Sequence, residues 1–318
     1  MTISRYPFPT TFSGWYRILD SHELAVGAAL PVPAFGRELV VFRGEDGRAR
    51  AFDAHCPHLG AHLGHGGTIA GDGLRCPFHG WRFDSTGACV HVPYASKIPS
   101  RAQLRAWDLR EVGGRMLAWY DAEGRLPAWE PPGCPELGHP EWDGPTRHRR
   151  TVSTHVLEVA ENVVDPAHFL VLHGVATLPI TETAADGPTF RSWSRLTQQT
   201  PRGERSTSID AEGSGVGLWR VHFRGIVETL LNMDLTPIAD NLVAIRLDFY
   251  VSRSGGSSAG HGVGAAMIQE IMHQLDQDIR IWEHKIYRTD PILCAGEAGI
   301  PAIRRWARSF YPKEHPPL

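Results

Sequence analysis

Hydrophobic and polar positions divide this chain into two regimes. Up to about residue 120 the apolar runs are short and repeatedly cut by Gly, Pro and Asp. Leu39-Val40-Val41-Phe42 reads as a strand, Gly44-Glu45-Asp46-Gly47 as a tight turn, and Ala49-Arg50-Ala51-Phe52 as the returning strand of a hairpin. Residues 116–120 predict another strand. Residues 127–145 are rich in Pro, Gly and Glu and lack periodicity, which predicts a join between two domains, 1–135 and 136–318. Past the join, 191–199, 217–225, 226–235 and 241–251 are rich in β-branched and aromatic residues and predict successive antiparallel strands. A glycine/serine link over 252–262 follows. Ile268, Ile271, Met272, Leu275, Ile279, Trp282 and Ile286 then recur at helical spacing and predict one long amphipathic helix. The fold class is therefore α+β: an all-β domain, then a curved antiparallel sheet held round a long C-terminal helix, a shape suited to an enclosed apolar pocket.

Composition narrows the function classes. The chain has 318 residues, 42% of them hydrophobic, and a net charge of -3, enough for one large or two medium domains. No long basic run occurs, so no nucleic-acid partner is expected. Residues 1–15 lack the basic-then-apolar pattern of a signal peptide, and no apolar run reaches the roughly 18 residues of a membrane span. Five cysteines in no disulfide-like array point to a reducing compartment, hence a cytoplasmic protein. Cys89 reads as a small buried hydrophobe; Cys134 and Cys294 carry no motif. Arg147-His148-Arg149-Arg150 reads as a solvated strand start.

Two stretches carry chemistry. The first is Cys56-Pro57-His58 followed by Cys76-Pro77-Phe78-His79, with Gly60 and Gly80 just beyond each histidine. Two thiolates and two imidazoles on paired loops fit a Rieske [2Fe–2S] centre, Cys56 and Cys76 on one iron and His58 and His79 on the other. Zinc is the competing occupant, but zinc-finger spacing pairs cysteine with cysteine and histidine with histidine. His55, His62 and His65 lie nearby and fall outside the pattern.

The second stretch, 161–174, sets Asn162, Asp165, His168 and His173 in an apolar run. Buried polar groups need partners, and two imidazoles with a carboxylate from elsewhere would form the facial set that holds iron(II) with open coordination positions. His168 and His173 lie about 140° apart on a regular helix, so both can reach one metal only if the helix ends or distorts between them. Gly174 is a plausible stop, and Asp165-Pro166 a plausible start or kink. On the long helix, Asp276 and Asp278 flank the apolar stripe on opposite sides, so either could turn inward.

Taken together, Cys56-x-His58…Cys76-x-x-His79 and Asn162-x-x-Asp165-x-x-His168-x(4)-His173 resemble the Rieske non-haem iron oxygenases, the terminal components of multicomponent systems. Further stretches, among them Val92-Pro93-Tyr94-Ala95, Ile281-Trp282-Glu283-His284-Lys285 and 305–311, are similar to the branch of 3-ketosteroid 9α-hydroxylases and cholesterol 7-desaturases. The resemblance implies a helix-grip catalytic domain after the Rieske domain. It implies His168, His173 and Asp278 as iron ligands and Asn162 as a positional residue near the iron. Asp165 would link a Rieske histidine, here His79, to His168 of a neighbouring subunit in a head-to-tail homotrimer. It also implies a separate reductase drawing on NAD(P)H, with or without a ferredoxin, dioxygen as co-substrate, and hydroxylation or desaturation of a bulky, steroid-like molecule. Tailoring or demethylation of a non-steroid metabolite or aromatic compound is the alternative, and an electron carrier using only the Rieske half is the rival from another class. Trp219, Phe223, Leu231, Met233, Phe249 and the loop 175–183 are candidate pocket walls, with none assigned to binding.

Overall fold

The computed structural model describes residues 5–200, 203–254 and 258–312. The chain folds as two compact units, one of Arg17–Trp119 with Leu126–Pro131, the other of Met1–Tyr16, Tyr120–Arg125 and Pro132–Leu318.

The first unit is built from short strands. Strands β1 (Gly14–Asp20), β10 (Leu109–Val112) and β11 (Arg115–Tyr120) form one sheet in the order β1-β11-β10; β1 and β11 each run a little past the unit's edge. Strands β2 (Ala29–Ala34), β3 (Arg37–Arg43), β4 (Ala49–Asp53) and β9 (Ala106–Trp107) form a second. The predicted hairpin is β3–β4, with Val40 opposite Phe52 and Arg43 opposite Ala49. The third sheet contains β5 (Thr68–Ala70), β6 (Gly73–Arg75), β7 (Arg82–Phe83) and β8 (Cys89–His91). Val40, Phe42 and Phe52 of the second sheet, Leu74 and Phe83 of the third, and Leu63, Trp81 and Leu104 form one core, and Cys56, Cys76 and Cys89 are buried in the same cluster.

The second unit centres on a seven-stranded antiparallel sheet. Its strands are β12 (Trp142–Val152), β13 (Ile180–Asp186), β14 (Thr189–Thr200), β15 (Gly203–Ser214), β16 (Leu218–Arg224), β17 (Thr229–Ala239) and β18 (Leu242–Ser252). The last six form a meander, and β12 pairs beside β18 at the far edge. Two short helices, α1 (Val156–Glu161) and α2 (Pro166–Val171), lie between β12 and β13; α3 (Gly262–Trp282) and α4 (Gly299–Arg308) follow the sheet.

The four predicted strands correspond to β14, β16, β17 and β18, with β17 starting at Thr229 because 226–228 form its entry loop. Strands β13 and β15 were not legible as strands. The segment Gly203–Ser214 is polar along its outer face, and only Thr207, Ala211 and Gly213 are buried, so its apolar alternation is too thin to read. Central β17, by contrast, is buried on both faces from Thr229 to Pro237. The predicted stripe of α3 is buried at Ile268, Ile271, Met272, Leu275 and Trp282, whereas Ile286 lies beyond the helix end and is exposed. The N-terminal segment packs with the C-terminal one: Phe12 stacks on Tyr311 with ring centroids 4.0 Å apart, and Ser13 N–H donates to the Phe310 carbonyl at 2.9 Å.

Candidate active site

The Cys56 loop joins β4 to β5, and the Cys76 loop joins β6 to β7. Both close in the same way. Gly60 N–H donates to the Cys56 carbonyl and Gly80 N–H to that of Cys76, at 3.0 and 3.1 Å. Cys56 N–H reaches the Ala61 carbonyl and Cys76 N–H that of Trp81, at 2.9 and 2.8 Å. Each turn needs a left-handed residue four positions after its cysteine, and glycine supplies it at φ 74° and 71°. That requirement, not the histidine spacing, is the shared geometry of the two loops.

The loops deliver His58 and His79 to each other, Nδ1 to Nδ1 at 3.2 Å. His58 stacks almost parallel on Trp81 at 4.7 Å, and Trp81 Nε1–H donates to the Tyr94 hydroxyl at 2.7 Å. Cys56 and Cys76 are buried free thiols. Burial, and then the neighbouring Cys76, push the Cys56 thiol up to about 11 despite a hydrogen bond from the His58 backbone. Two adjoining buried thiols and two converging ring nitrogens are a donor set that an iron–sulfur cluster satisfies, its positive iron ions supplying the charge that the thiolates need. His55 and His62 instead face Glu38, at 3.7 and 3.6 Å.

In the second unit, Asp165 is the N-cap of α2, its Oδ1 accepting from the backbone N–H of Ala167 at 2.9 Å and His168 at 3.4 Å, with Pro166 in the first turn. The helix ends at Val171, and the next turn widens: His173 N–H reaches back five residues to the His168 carbonyl at 3.3 Å. Gly174, at φ 68°, then leads the chain out. This widened exit answers the spacing problem, since it swings His173 round until the two rings meet at 5.0 Å between centroids.

Helix α3 turns Asp278 inward and Asp276 outward. Asp278 is 5% exposed, with Oδ1 3.3 Å from His173 Nε2 and Oδ2 accepting from Asn162 Nδ2 at 3.0 Å. Asp276 is a bidentate partner of Arg150 at 2.9 and 3.1 Å. One donor atom each from His168, His173 and Asp278 lie within 4.8 Å of one another. Both ring nitrogens of His168 are buried without a hydrogen-bond partner, Nδ1 standing 3.6 Å from Asp165 Oδ2. An orphaned buried imidazole beside a second imidazole and a carboxylate fits a divalent metal with nitrogen and oxygen ligands.

Burial works hardest against ionisation of Asp165, yet His168 and the capped backbone N–H groups hold its carboxyl below the usual range. For His173, burial opposes protonation most strongly, but bonds to Asp278 and Gln277 outweigh it and raise the imidazole above its ordinary value. Gln277 Oε1 meets His173 Nδ1 at 2.9 Å, which favours a proton on Nδ1 and turns Nε2 toward Asp278. Sequence reasoning missed Gln277; its only signal is its place beside Asp278, which does not say where its amide points.

The triad opens onto a cavity with about 730 Å³ of free space, part of it continuous with solvent. Its far walls are apolar, including Val221, Phe223, Leu231, Met233, Leu247 and Ile271, with Ser194 and Gln274 as polar interruptions. Of the candidate walls, Phe223, Leu231 and Met233 line it; Trp219 packs against Trp306 at 6.0 Å and Phe249 lies against His148 at 5.8 Å.

Two such centres on one chain define an iron–sulfur oxygenase architecture, and comparison with known proteins agrees. Residues 14–102 match the Rieske [2Fe-2S] domain family, and residues 118–311 match the 3-Ketosteroid 9alpha-hydroxylase C-terminal domain family. The chain belongs to the Rieske oxygenases whose second half is of this C-terminal type. It is 32% identical to a probable 3-ketosteroid-9-alpha-monooxygenase, oxygenase component, of Rhodococcus rhodochrous, over 94% of this chain and 79% of that protein. With a cholesterol 7-desaturase of Bombyx mori it shares 31% identity over 97% of this chain and 70% of that one. The solved structure of dicamba monooxygenase bound to dicamba shares the fold at a TM-score of 0.74 and 17% identity, covering 93% of this chain and 96% of that chain. Pseudomonas putida CBB5 NdmA with caffeine does so at 0.74 and 21%, covering 92% and 89%. Among the described residues no helix is long and apolar enough to cross a membrane.

Proposed function

We propose that this enzyme is the terminal oxygenase of a multicomponent system and hydroxylates or desaturates a bulky, apolar, steroid-like molecule. The carrying observation is the buried triad His168, His173 and Asp278 facing a largely apolar cavity. The chain's similarity to a 3-ketosteroid monooxygenase and a cholesterol desaturase supports the substrate class. A mononuclear iron held by the triad would bind dioxygen and supply the oxidation of a C–H bond, and a cluster held by Cys56, His58, Cys76 and His79 would supply single electrons. Residues 1–135 then serve electron entry and 136–318 oxidation.

The side chains have distinct tasks in this reading. Asn162 holds the second oxygen of Asp278, leaving the first for the metal. Gln277 orients His173. The apolar wall strips water from the substrate. Asp165 spends one oxygen on the cap of α2, and its side chain is 34% exposed. Its second oxygen is thereby left for His168 and, in the homotrimer we propose, for His79 of the partner subunit. Exposed Leu59, Phe78 and Tyr94, at 65%, 61% and 61%, support docking at the histidine end of the cluster. A separate NAD(P)H-dependent reductase, with or without a ferredoxin, and a cytoplasmic setting complete the proposal.

The test is an iron count with EPR on anaerobically purified protein. About three irons per chain and a reduced Rieske signal are expected. Asp278→Ala should lose the mononuclear iron and steroid oxidation while keeping the Rieske signal, and Asp276→Ala should keep all three. Equal iron loss in both variants would overturn the ligand assignment; a zinc-loaded, colourless protein would overturn the whole reading.

A further inference from the structure

One face of the third sheet carries a row of cations. Leu74 of β6 and Phe83 of β7 pair across the ladder and are fully buried. Strand alternation therefore turns their neighbours Arg75 and Arg82, which are also directly opposite each other, out to solvent. His91 of β8 stands opposite Arg82 and is exposed as well. Beyond β8, Cys89 N–H donates to the Ala102 carbonyl at 2.9 Å and Ala88 bridges to Gln103. That pairing brings exposed Arg101 to the same edge of the sheet.

Nothing in the same unit neutralises these guanidinium groups. Arg43, Arg50 and Arg110 each clasp a carboxylate, of Glu111, Asp46 and Glu130. Among the described residues the side chains of Arg75, Arg82 and Arg101 make no ion pair or hydrogen bond. Like charges directly opposite on a ladder weaken it, so the fold gains nothing from the Arg75–Arg82 pair. A net charge of -3 leaves no general excess of cations to account for it either. Its place in the chain does offer a use. Arg75 directly precedes Cys76, and Arg82 directly follows Trp81, whose ring stacks on His58.

We propose that the Arg75–Arg82 row, extended by Arg101, is the docking surface for the electron-donating protein, and that this donor presents an acidic face. The inference rests on the reading that Cys56, His58, Cys76 and His79 hold a cluster reduced from outside the chain. Unpaired cations side by side attract a face of the opposite sign and speed its encounter with the sheet. Carboxylates on that face remove the repulsion between Arg75 and Arg82, so the row is stabilised only while the donor is bound. The loop between the two arginines then carries the transfer: one electron leaves the donor's reduced centre for the oxidised cluster, and no bond is made or broken.

Stopped-flow reduction of the oxidised holoenzyme by a reduced, acidic plant-type ferredoxin tests it, with dithionite as the small reductant for comparison. The wild-type rate with ferredoxin should fall about tenfold between about 20 mM and about 500 mM salt. Arg75→Glu with Arg82→Glu should lower the low-salt rate about tenfold and flatten its salt dependence. Arg101→Glu should lower it less. Arg205→Glu, which makes the same kind of charge reversal at an exposed position of the other unit, should leave it unchanged. Reduction by dithionite and the Rieske EPR signal should be as in wild type throughout. Arg75→Glu alone sets opposite charges across the ladder and should melt no lower than wild type. A ferredoxin rate untouched by the double reversal, an equal fall in Arg205→Glu, or a lower melting point in Arg75→Glu overturns the docking surface while the cluster reading stands. If wild type shows no dithionite-reducible Rieske signal, that reading falls and the docking surface with it.

Discussion

Replacing Gln277 by leucine isolates one link between the fold and the metal. The His173 side chain is 2% exposed, and its Nδ1 has Gln277 Oε1 at 2.9 Å. Leucine keeps the volume of the site and removes the acceptor, so the Nδ1–H of the ligating tautomer is left buried and unpaired. An orphaned buried donor costs about 1–3 kcal/mol. Loss of a partner behind a ligating imidazole lowers metal affinity by about 10–100-fold, or about 1.4–2.7 kcal/mol. The two routes to the magnitude agree, so ferrous-iron affinity, measured by competition with a coloured chelator, should fall by that factor. Gln277→Glu offers a stronger acceptor in the same position and should bind iron at least as well as wild type. The Rieske EPR signal should be unchanged in both, because the cluster residues lie in the other compact unit. Wild-type affinity in the leucine variant, or equal weakening in leucine and glutamate variants, would refute the reasoning.

Two further predictions concern stability. His155 caps α1, its Nδ1 accepting from Leu157 N–H at 3.1 Å, and burial pushes its imidazole down from 6.5 to about 4. The neutral ring contributes stability that is complete above pH 6.5 and is lost as pH falls toward 4. Between pH 7.5 and 5 this loss should reach about 2 kcal/mol. His155→Asn keeps a capping oxygen without the titration, so its urea-unfolding free energy should fall less over that interval; identical pH slopes would rule the assignment out. Arg304 clasps buried Glu161 with bonds of 2.7 and 3.1 Å, and burial, opposed by that guanidinium, raises the Glu161 carboxyl. Arg304→Leu should destabilise the protein by roughly 3–5 kcal/mol, and adding Glu161→Leu should recover most of the loss. A double variant as unstable as the sum of its singles would show that the buried charge is not the cause.

The two sites differ in how far the sequence exposes them. The cluster site is written locally. Cys56 with Gly60 and Cys76 with Gly80 share one turn geometry, and each loop needs only its own few residues to form it. The candidate iron site is half local. Asp165 and Pro166 start α2, and the widened turn before Gly174 swings His173 round to His168, all within one short segment. Its third member is not local, because Asp276 and Asp278 are equivalent on a helical wheel.

What separates them is the partner each meets from elsewhere in the chain. Arg150 of β12 takes Asp276 at the surface, and Asn162 takes Asp278 in the interior. The same holds for the pocket. Phe223 lines the cavity while Trp219, on the same strand, is covered by Trp306 of a helix more than eighty residues later. By itself the amino-acid sequence determined the α+β order of elements and marked out the two Cys-His loops and the His168–His173 segment as candidate sites, because hairpins, caps and turns are short-range chemistry. Only the tertiary structure decided which aspartate faces inward and that Gln277 holds His173. Those depend on which side chains distant segments bring together, and a linear pattern carries no distance across the fold.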